Sequence, residues 1–338
     1  MIYPSSCGRR VSSCFARTRH ANPARGLPGI LRIPGRRTWL IPALAALAGC
    51  TALPGGGFRI GAACGIGRVG TVPVVARDGL LFVQARIDHH KVPLVLDTGA
   101  QRTLLTAATV RRLRLPMARH HGTSTFGIGG HTTSFDAKLS RFSLAGIPMP
   151  LPLVTVGNFH LSALHGQAGG MLGADVLTRY GIDLDASAGR MVLYNNPGCH
   201  LDGPPWHGHA VAVPGVQTGL DRLQLRIAVN GVTGLATLDT GAQTTAVSLG
   251  LATRAGVTPE ALATDRYAVA RGAAPGSVRV RLQRFHTLQV GPWLARNATL
   301  PILPLPEGVG DGLVGEDFLL HRRVWLSFAA SQMFVAVQ

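Results

Sequence analysis

One eight-residue stretch occurs twice in this chain, as LDTGAQRT at residues 96–103 and as LDTGAQTT at residues 238–245. The two copies differ only at their seventh position. Average residue usage would place an Asp-Thr-Gly tripeptide in roughly one chain in ten of this length, so a single copy would carry little information. Two copies with matching flanks indicate that Asp97 and Asp239 belong to a repeated structural unit.

The repeat continues beyond the two aspartates at a constant offset of 142 residues. The further matched pairs are Leu172 and Val314, Gly173 and Gly315, Asp175 and Asp317, Leu177 and Leu319, Ile182 and Val324, Leu184 and Leu326, and Met191 and Met333. The region from about residue 71 to the C-terminus is therefore an internal duplication.

Length and charge limit the classes of protein that fit. The chain has 338 residues, 46% of them hydrophobic, which is enough for two globular domains. The net charge is +17, but residues 1–49 contain eight arginines and no acidic residue, so the remainder is only moderately basic. A solvated strand face explains the spacing of the tightest basic group, which is Arg279, Arg281 and Arg284. Because no aromatic residues are interleaved with these arginines, nucleic acid is not expected as a partner.

The N-terminal segment is typical of an export signal. Arg36 and Arg37 precede an apolar run at 39–47 that is too short to span a bilayer permanently. The sequence Leu-Ala-Gly-Cys at 47–50 resembles the lipobox of bacterial lipoproteins, in which the peptide is cut before a cysteine that is then acylated. We expect an exported bacterial protein on the periplasmic side of the cell envelope, anchored in the membrane by a lipid on Cys50.

Composition divides the chain into five segments. A leader at 1–49 precedes a glycine-rich tether at 50–70, the first lobe at 71–198, a Pro/Gly-rich linker at 199–215 and the second lobe at 216–338. Each lobe contains short apolar runs broken by Gly or Pro, which predict strands. In the first lobe these runs are 80–87, 92–96, 151–156 and 191–194.

Helices are predicted after each repeated signature. The segments 106–115 and 248–257 each open on a hydroxyl residue that can cap a helix. A second short helix is predicted near Asp175 and near Asp317, where these aspartates would act as helix caps. Asp183 and Asp185 lack a duplicated carboxylate partner and are expected in salt links or at the surface.

The cysteines and histidines do not suggest a metal site. Cys64 and Cys199 remain outside the leader and the lipidation candidate, and they could pair after export or stay as two free buried thiols. No histidine or cysteine has the spacing of a known ligand motif, so neither a metal nor another cofactor is expected.

Two carboxylates on facing loops suit peptide hydrolysis. Adjacent carboxylates that share a proton supply a base for water and an acid for the carbonyl oxygen, because like charges about 3 Å apart resist ionising together. The hydroxyls of Thr98 and Thr240 can bond the opposite loop, and Gly99 and Gly241 let backbone N–H groups approach the carboxylates. A plain β-turn is the alternative for a single copy, but equivalent copies in one chain favour catalysis.

These features resemble the retropepsin-like aspartic proteases over the region from about residue 71 to the C-terminus. The resemblance rests on the two LDTGA segments, the apolar-apolar-Gly elements at 171–173 and 313–315, and a glycine-rich segment. It implies a mainly β fold of two homologous lobes with short helices, which form an intramolecular pseudo-dimer with one active site. The chain is then expected to act as a monomer.

The resemblance also implies mobile hairpins, or flaps, over the substrate. In the first lobe the flap tip would be Phe126-Gly127-Ile128-Gly129-Gly130. The second lobe has Ala270-Arg271-Gly272-Ala273-Ala274 at the corresponding offset, so the sequence does not establish a symmetric pair. A plain surface hairpin is the alternative for the first-lobe segment.

The sequence thus predicts an aspartic endopeptidase in which Asp97 and Asp239 activate one water to cut peptide or protein substrates. A peptide-binding module of the same fold without turnover is one alternative, and a basic surface-interaction protein is another. Pepsin-like enzymes often have Ser at the positions of Ala100 and Ala242, where the hydroxyl can hydrogen-bond the carboxylate and favour its charged form. Ala cannot form this bond, so we expect activity to have a weakly acid to near-neutral pH optimum.

Overall fold

The protein is represented by a computed structural model, which describes residues 3–5, 65–118, 122–157, 168–218, 221–272, 276–306 and 308–337. Apart from residues 3–5, the predicted leader lies outside the described residues, and so does Cys50. Within the described ranges, no helix is both long enough and apolar enough to cross a membrane.

The first lobe is mainly β. A strand β1 (Tyr3–Ser5) pairs with β6 of this lobe. Its other strands are β2 (Arg68–Arg77), β3 (Leu80–Ile87), β4 (His90–Leu96), β5 (Leu104–Thr106), β6 (Thr123–Gly127), β7 (Gly130–Lys138), β8 (Phe142–Leu144), β9 (Ile147–Pro148), β10 (Leu153–Gly157), β11 (Gly170–Leu172), β12 (Gly181–Asp185) and β13 (Arg190–Tyr194). Its helices are α1 (Ala107–Leu113) and α2 (Ala174–Leu177).

The second lobe repeats this order of elements, except that two long strands stand in place of the four strands β7 to β10 and that it has one more helix. Its strands are β14 (Ala210–Thr218), β15 (Arg222–Val229), β16 (Val232–Leu238), β17 (Ala246–Ser248), β18 (Arg266–Arg271), β19 (Ser277–Val290), β20 (Trp293–Leu303), β21 (Gly312–Val314), β22 (Arg323–Ser327) and β23 (Gln332–Ala336). Its helices are α3 (Leu249–Arg254), α4 (Pro259–Thr264) and α5 (Glu316–Leu319). The predicted mainly β, two-lobed fold is confirmed.

Alternating burial explains why these segments form strands. In β3, Gln84 and Arg86 are exposed while Ala85 and Ile87 are fully buried, so one face of the strand packs on the core. β3 pairs antiparallel with β4, and β4 pairs in parallel with β11. β15, β16 and β21 repeat this arrangement in the second lobe. The repeated hairpin therefore delivers each Asp-Thr-Gly loop from the end of a buried strand.

A six-stranded antiparallel sheet joins the lobes in the order β2, β13, β12, β22, β23 and β14. At its centre β12 pairs with β22, and Leu184 lies opposite Val324. Arg323 of β22 donates to both oxygens of the Asp183 carboxylate at 2.8 and 2.7 Å. Asp185 bonds Arg190 at 3.1 Å, so the salt links expected for these two aspartates are confirmed.

The structure corrects several predicted boundaries. β2 begins at Arg68, inside the predicted tether 50–70, because its first residues pair with β13. β14 begins at Ala210, inside the predicted linker 199–215, because it pairs with β23. α1 and α3 follow Thr106 and Ser248, whose hydroxyls cap them as predicted, but both helices end earlier than predicted. α4 was not predicted.

Cys199 is disulfide-bonded, and its Sγ lies 3.9 Å from the Gly65 carbonyl oxygen. The other four cysteines lie outside the described residues. Because Gly65 directly follows Cys64, the position of Cys199 agrees with a Cys64–Cys199 bridge. That pairing stays a prediction.

Peptide mapping under non-reducing conditions should recover Cys64 and Cys199 in one linked fragment. Because this bridge closes a long loop, we expect Cys64→Ser to lower the free energy of unfolding by about 2–5 kcal/mol. Recovery of Cys199 linked to Cys50 would show that the pairing is wrong.

Candidate active site

Each catalytic loop is fixed by the strand that runs beside it. The N–H of Asp97 donates to the Leu172 carbonyl at 3.0 Å, and the N–H of Asp239 donates to the Val314 carbonyl at 2.9 Å. The apolar-apolar-Gly elements therefore lie directly against the two loops. At Gly173, a Cβ atom would lie 2.5 Å from the Arg102 carbonyl carbon, so only glycine fits this approach.

The two loops are tied together by four reciprocal hydrogen bonds that all involve the buried Thr98 and Thr240. The N–H of Thr98 donates to Thr240 Oγ1 at 3.0 Å, and the N–H of Thr240 donates to Thr98 Oγ1 at 3.1 Å. Each hydroxyl donates onward to the opposite strand, to the carbonyl of Leu238 at 2.7 Å or of Leu96 at 2.8 Å. We call these bonds the threonine clasp. It holds the two aspartates in a fixed relation across the lobe interface.

The carboxyl groups of Asp97 and Asp239 lie against each other's loops. A Cβ atom on Gly99 would lie 2.5 Å from Asp239 Cγ, and one on Gly241 would collide with the Asp97 carboxyl group. The two aspartates are 0% and 3% exposed. Glycine at both positions therefore lets two buried carboxyl groups share one site.

The two carboxyl groups have different surroundings. Asp97 Oδ1 accepts N–H bonds from Gly99 at 2.9 Å and Ala100 at 2.8 Å, whereas Asp239 Oδ1 accepts one from Gly241 at 2.9 Å. Burial raises the pKa of the Asp239 carboxyl to about 7, and the charge of Asp97 and a hydrogen bond with it add to the shift. These effects favour the protonated form of Asp239, so the shared proton is assigned to Asp239 below about pH 7.

The predicted flap segments form two hairpins that meet at their tips. β6 and β7 pair from Thr123 to Ser134, and β18 and β19 pair from Arg266 to Leu282. Gly129 and Gly276 approach so closely that a Cβ on either would strike the other's carbonyl, and one on Gly272 would lie 2.7 Å from the Ile128 carbonyl oxygen. The second lobe therefore has a hairpin too, and Arg271 ends its first strand. Ala273 and Ala274 lie outside the described residues.

Apolar side chains line both lobes beside the catalytic loops. One cluster in the first lobe comprises Leu80, Phe82, Val95, Leu104, Ala168 and Met171. The corresponding cluster in the second lobe comprises Ala246, Val280, Leu303, Val309 and Leu313. Phe126 and Ile128 of the first hairpin pack against this second cluster, so the hairpin of one lobe reaches over the other.

Asp175 and Asp317 do not cap helices, which corrects the prediction for them. Neither α2 nor α5 has a side-chain cap. Instead, Asp175 Oδ1 accepts bonds from the N–H and hydroxyl of Thr103 at 2.9 and 2.6 Å. Asp317 bonds Thr245 in the same way, at 2.9 and 2.7 Å. These aspartates lie two residues beyond the N-cap positions, which are Gly173 and Gly315, and they brace the strands that follow the catalytic loops.

Sequence reasoning missed two buried ionisable residues beside the site. Arg222 is fully buried, and its Nε donates across the lobe interface to the Gly99 carbonyl at 3.2 Å. Glu316 is fully buried behind the second catalytic loop. Both break the repeat, because Leu80 and Ala174 occupy the equivalent positions in the first lobe. Comparing the two copies position by position would have found them.

No group of three or more His, Cys, Asp or Glu side chains is placed to hold a metal ion in the part of the chain that the structure describes.

Two protein-family models match the chain, one in each lobe. Residues 83–176 match the family model described as aspartyl protease, and residues 225–321 match the one described as gag-polyprotein putative aspartyl protease. No curated protein matches the chain. The matches fall on the two lobes in order, and each contains one Asp-Thr-Gly loop. The chain belongs to the retropepsin-like aspartyl protease family.

Proposed function

We propose that the protein is an aspartic endopeptidase in which Asp97 and Asp239 activate one water molecule for attack on a peptide carbonyl. The observation that carries this proposal is the reciprocal packing of each carboxyl group against the glycine of the opposite loop. The threonine clasp supports it further, because it fixes the relative position of the two acids.

The surroundings of the two acids suggest different roles. Asp97 Oδ1 is occupied by two N–H donors, so Asp97 Oδ2 is the atom that would take a proton from water. Asp239, which holds the shared proton, would donate it to the carbonyl oxygen. Collapse of the tetrahedral intermediate then breaks the C–N bond: Asp97 gives its proton to the leaving amine, and one hydroxyl of the intermediate returns its proton to Asp239 as the C=O bond re-forms. The site ends with one proton, as it began.

The substrate proposed for this site is an extended peptide. The two hairpins and the catalytic loops offer strand edges for β-like pairing, and the apolar clusters of each lobe offer side-chain pockets on either side of the dyad. We propose that the hairpin tips must separate for a protein chain to enter.

The cellular setting is also proposed. An exported, periplasmic lipoprotein anchored through Cys50 follows from the leader sequence and is tested by mass spectrometry of the mature N-terminus. The chain supplies both halves of the dyad, and both lobes lie in one compact unit, which supports action as a monomer.

The direct test is incubation of the purified protein, starting at Thr51, with a diverse peptide library in water enriched in ¹⁸O between pH 3 and 8. We expect new termini between apolar residues, with one ¹⁸O in each new carboxyl group. Peptide binding without any cleavage would instead identify a binding module of the same fold.

The dependence of kcat/KM on pH should reflect the protonation of Asp239. Its pKa of about 7 keeps the site singly protonated into the neutral range, so we expect kcat/KM to peak at weakly acid to near-neutral pH and to fall as the pH passes about 7. A profile measured with one cleaved peptide checks this. A maximum below about pH 3 would contradict it.

A further inference from the structure

Arginines are concentrated in the second-lobe hairpin and in the strand that follows it. Residues 266–306 contain six arginines and no Asp or Glu. The segment at the same offset in the first lobe, residues 124–164, contains only Lys138, Arg141 and Asp136 as charged residues. The first lobe builds its hairpin without such a charge, so the fold does not require the arginines of the second.

Burial assigns the two faces of the second-lobe hairpin. Ala268 and Ala270 of β18 and Val278 and Val280 of β19 pack in the apolar cluster beside the catalytic loop. Because side chains alternate along a strand, the residues between them lie on the opposite, outer face. We call this outer face the basic hairpin face, and its members are Tyr267, Val269, Arg271, Arg279 and Arg281.

The strand register brings the members of the basic hairpin face together. Tyr267 lies opposite Arg281, and Val269 lies opposite Arg279. The Cζ atoms of Arg279 and Arg281 lie 4.8 and 3.7 Å from the centre of the Tyr267 ring. The neighbouring strand therefore supplies an aromatic side chain that the run 279–284 itself lacks.

These two arginines are held in place before any partner binds. A guanidinium group packed against an aromatic ring keeps its charge. Arg281 also donates to the carbonyls of Ala263 and Asp265 at 3.3 and 2.9 Å. Less side-chain freedom is lost when such groups bind a partner than when mobile arginines do, which favours a docking role over simple solvation.

Apolar side chains are exposed in the middle of this positive charge. Tyr267 is 53% exposed and Val269 is 55% exposed. Arginines around exposed aromatic and aliphatic side chains are typical of surfaces that lie on anionic bilayers, where the cations meet phosphate groups and the apolar groups enter the interface. An extended acidic peptide would instead be expected along a strand edge or in a groove, whereas these side chains stand on the face of a hairpin.

We propose that the basic hairpin face docks on the surface of a bilayer that contains anionic phospholipids. The inference does not depend on peptide hydrolysis. A lipid anchor at Cys50 would bring the protein to a membrane, and the basic hairpin face would determine which side of the protein lies against it. Because the other face of the same hairpin packs beside the catalytic loop, docking would hold the candidate active site next to the bilayer.

Co-sedimentation with vesicles tests the proposal on the protein starting at Thr51, which lacks both the lipid and the arginines of the leader. We expect binding to phosphatidylcholine vesicles that contain phosphatidylglycerol, no binding to phosphatidylcholine alone, and weaker binding as salt is added. Combined Arg271→Gln and Arg279→Gln substitutions should lower the partition coefficient about 25-fold, which is about fivefold for each arginine near the surface. Failure of the wild type to bind the anionic vesicles would overturn the proposal.

Two further variants separate the basic hairpin face from net charge. Combined Arg111→Gln and Arg112→Gln substitutions remove the same charge from exposed positions of α1 and should leave binding unchanged. Combined Arg271→Lys and Arg279→Lys substitutions keep the charge and should retain most of the binding. Equal losses in the two Gln variants would overturn the proposal, because any basic surface would then serve. Binding to soluble polyglutamate without binding to vesicles would also overturn it, and would assign the face to an acidic segment of a protein partner.

Discussion

Replacing either Asp97 or Asp239 by Asn should reduce kcat/KM by about 10⁴-fold or more, and the double variant should lose no more than either single variant. Groups that act as one catalytic unit show this non-additivity, because neither carboxyl group can polarise the attacking water and protonate the carbonyl alone. Initial rates on one cleaved peptide, corrected for an uncatalysed blank, give the measurement.

Asn preserves the side-chain shape and can still accept the backbone N–H bonds at Asp97 Oδ1 and Asp239 Oδ1, so both variants should fold. Asp202→Asn, at an exposed position between the lobes, is the matched control and should retain wild-type rates. If one dyad variant kept most of its activity, the two aspartates would not be working as a unit.

Replacing Thr98 or Thr240 by Val should destabilise the protein by about 2–5 kcal/mol in each case. Valine keeps the side-chain volume but removes the hydroxyl, which in Thr240→Val leaves the buried N–H of Thr98 and the carbonyl of Leu96 without their bonds. Urea unfolding followed by tryptophan fluorescence measures the loss. The exposed Thr264→Val is the control for the change of residue type.

Cleavage should fall together with stability in the clasp variants, because the clasp sets the relation between the two carboxyl groups. A change of less than about 0.5 kcal/mol in both variants would mean that the four hydrogen bonds do not hold the lobes together.

Much of the fold could be predicted from the repeat. The offset of 142 residues matched the catalytic signatures and the segments from Leu172 to Met191 with their copies in the second lobe, and short β-branched runs such as Leu80–Ile87 became the strands they predicted. The hydroxyls of Thr106 and Ser248 marked the starts of α1 and α3 because helix capping is a local interaction. Local chemistry of this kind is visible in sequence.

Interactions between distant parts of the chain were harder to predict from the sequence. The contact between the hairpin tips at Gly129 and Gly276 depends on how the two lobes face each other, which no local pattern encodes. Asp175 and Asp317 were misassigned because an aspartate at a helix start usually caps it, whereas here each reaches back to a threonine 72 residues earlier. Arg222 and Glu316 were not predicted because they lie where the two repeats differ: Leu80 and Ala174 occupy these positions in the first lobe.

We propose that each chain builds one dyad from its own two lobes. The most direct test mixes equal amounts of Asp97→Asn and Asp239→Asn and measures peptide cleavage beside each variant and the wild type at the same total concentration. Because β12 and β22 join the lobes of one chain, we expect the mixture to be as inactive as either variant. Recovery of a substantial fraction of wild-type activity in the mixture would show that dyads form between chains and would contradict it.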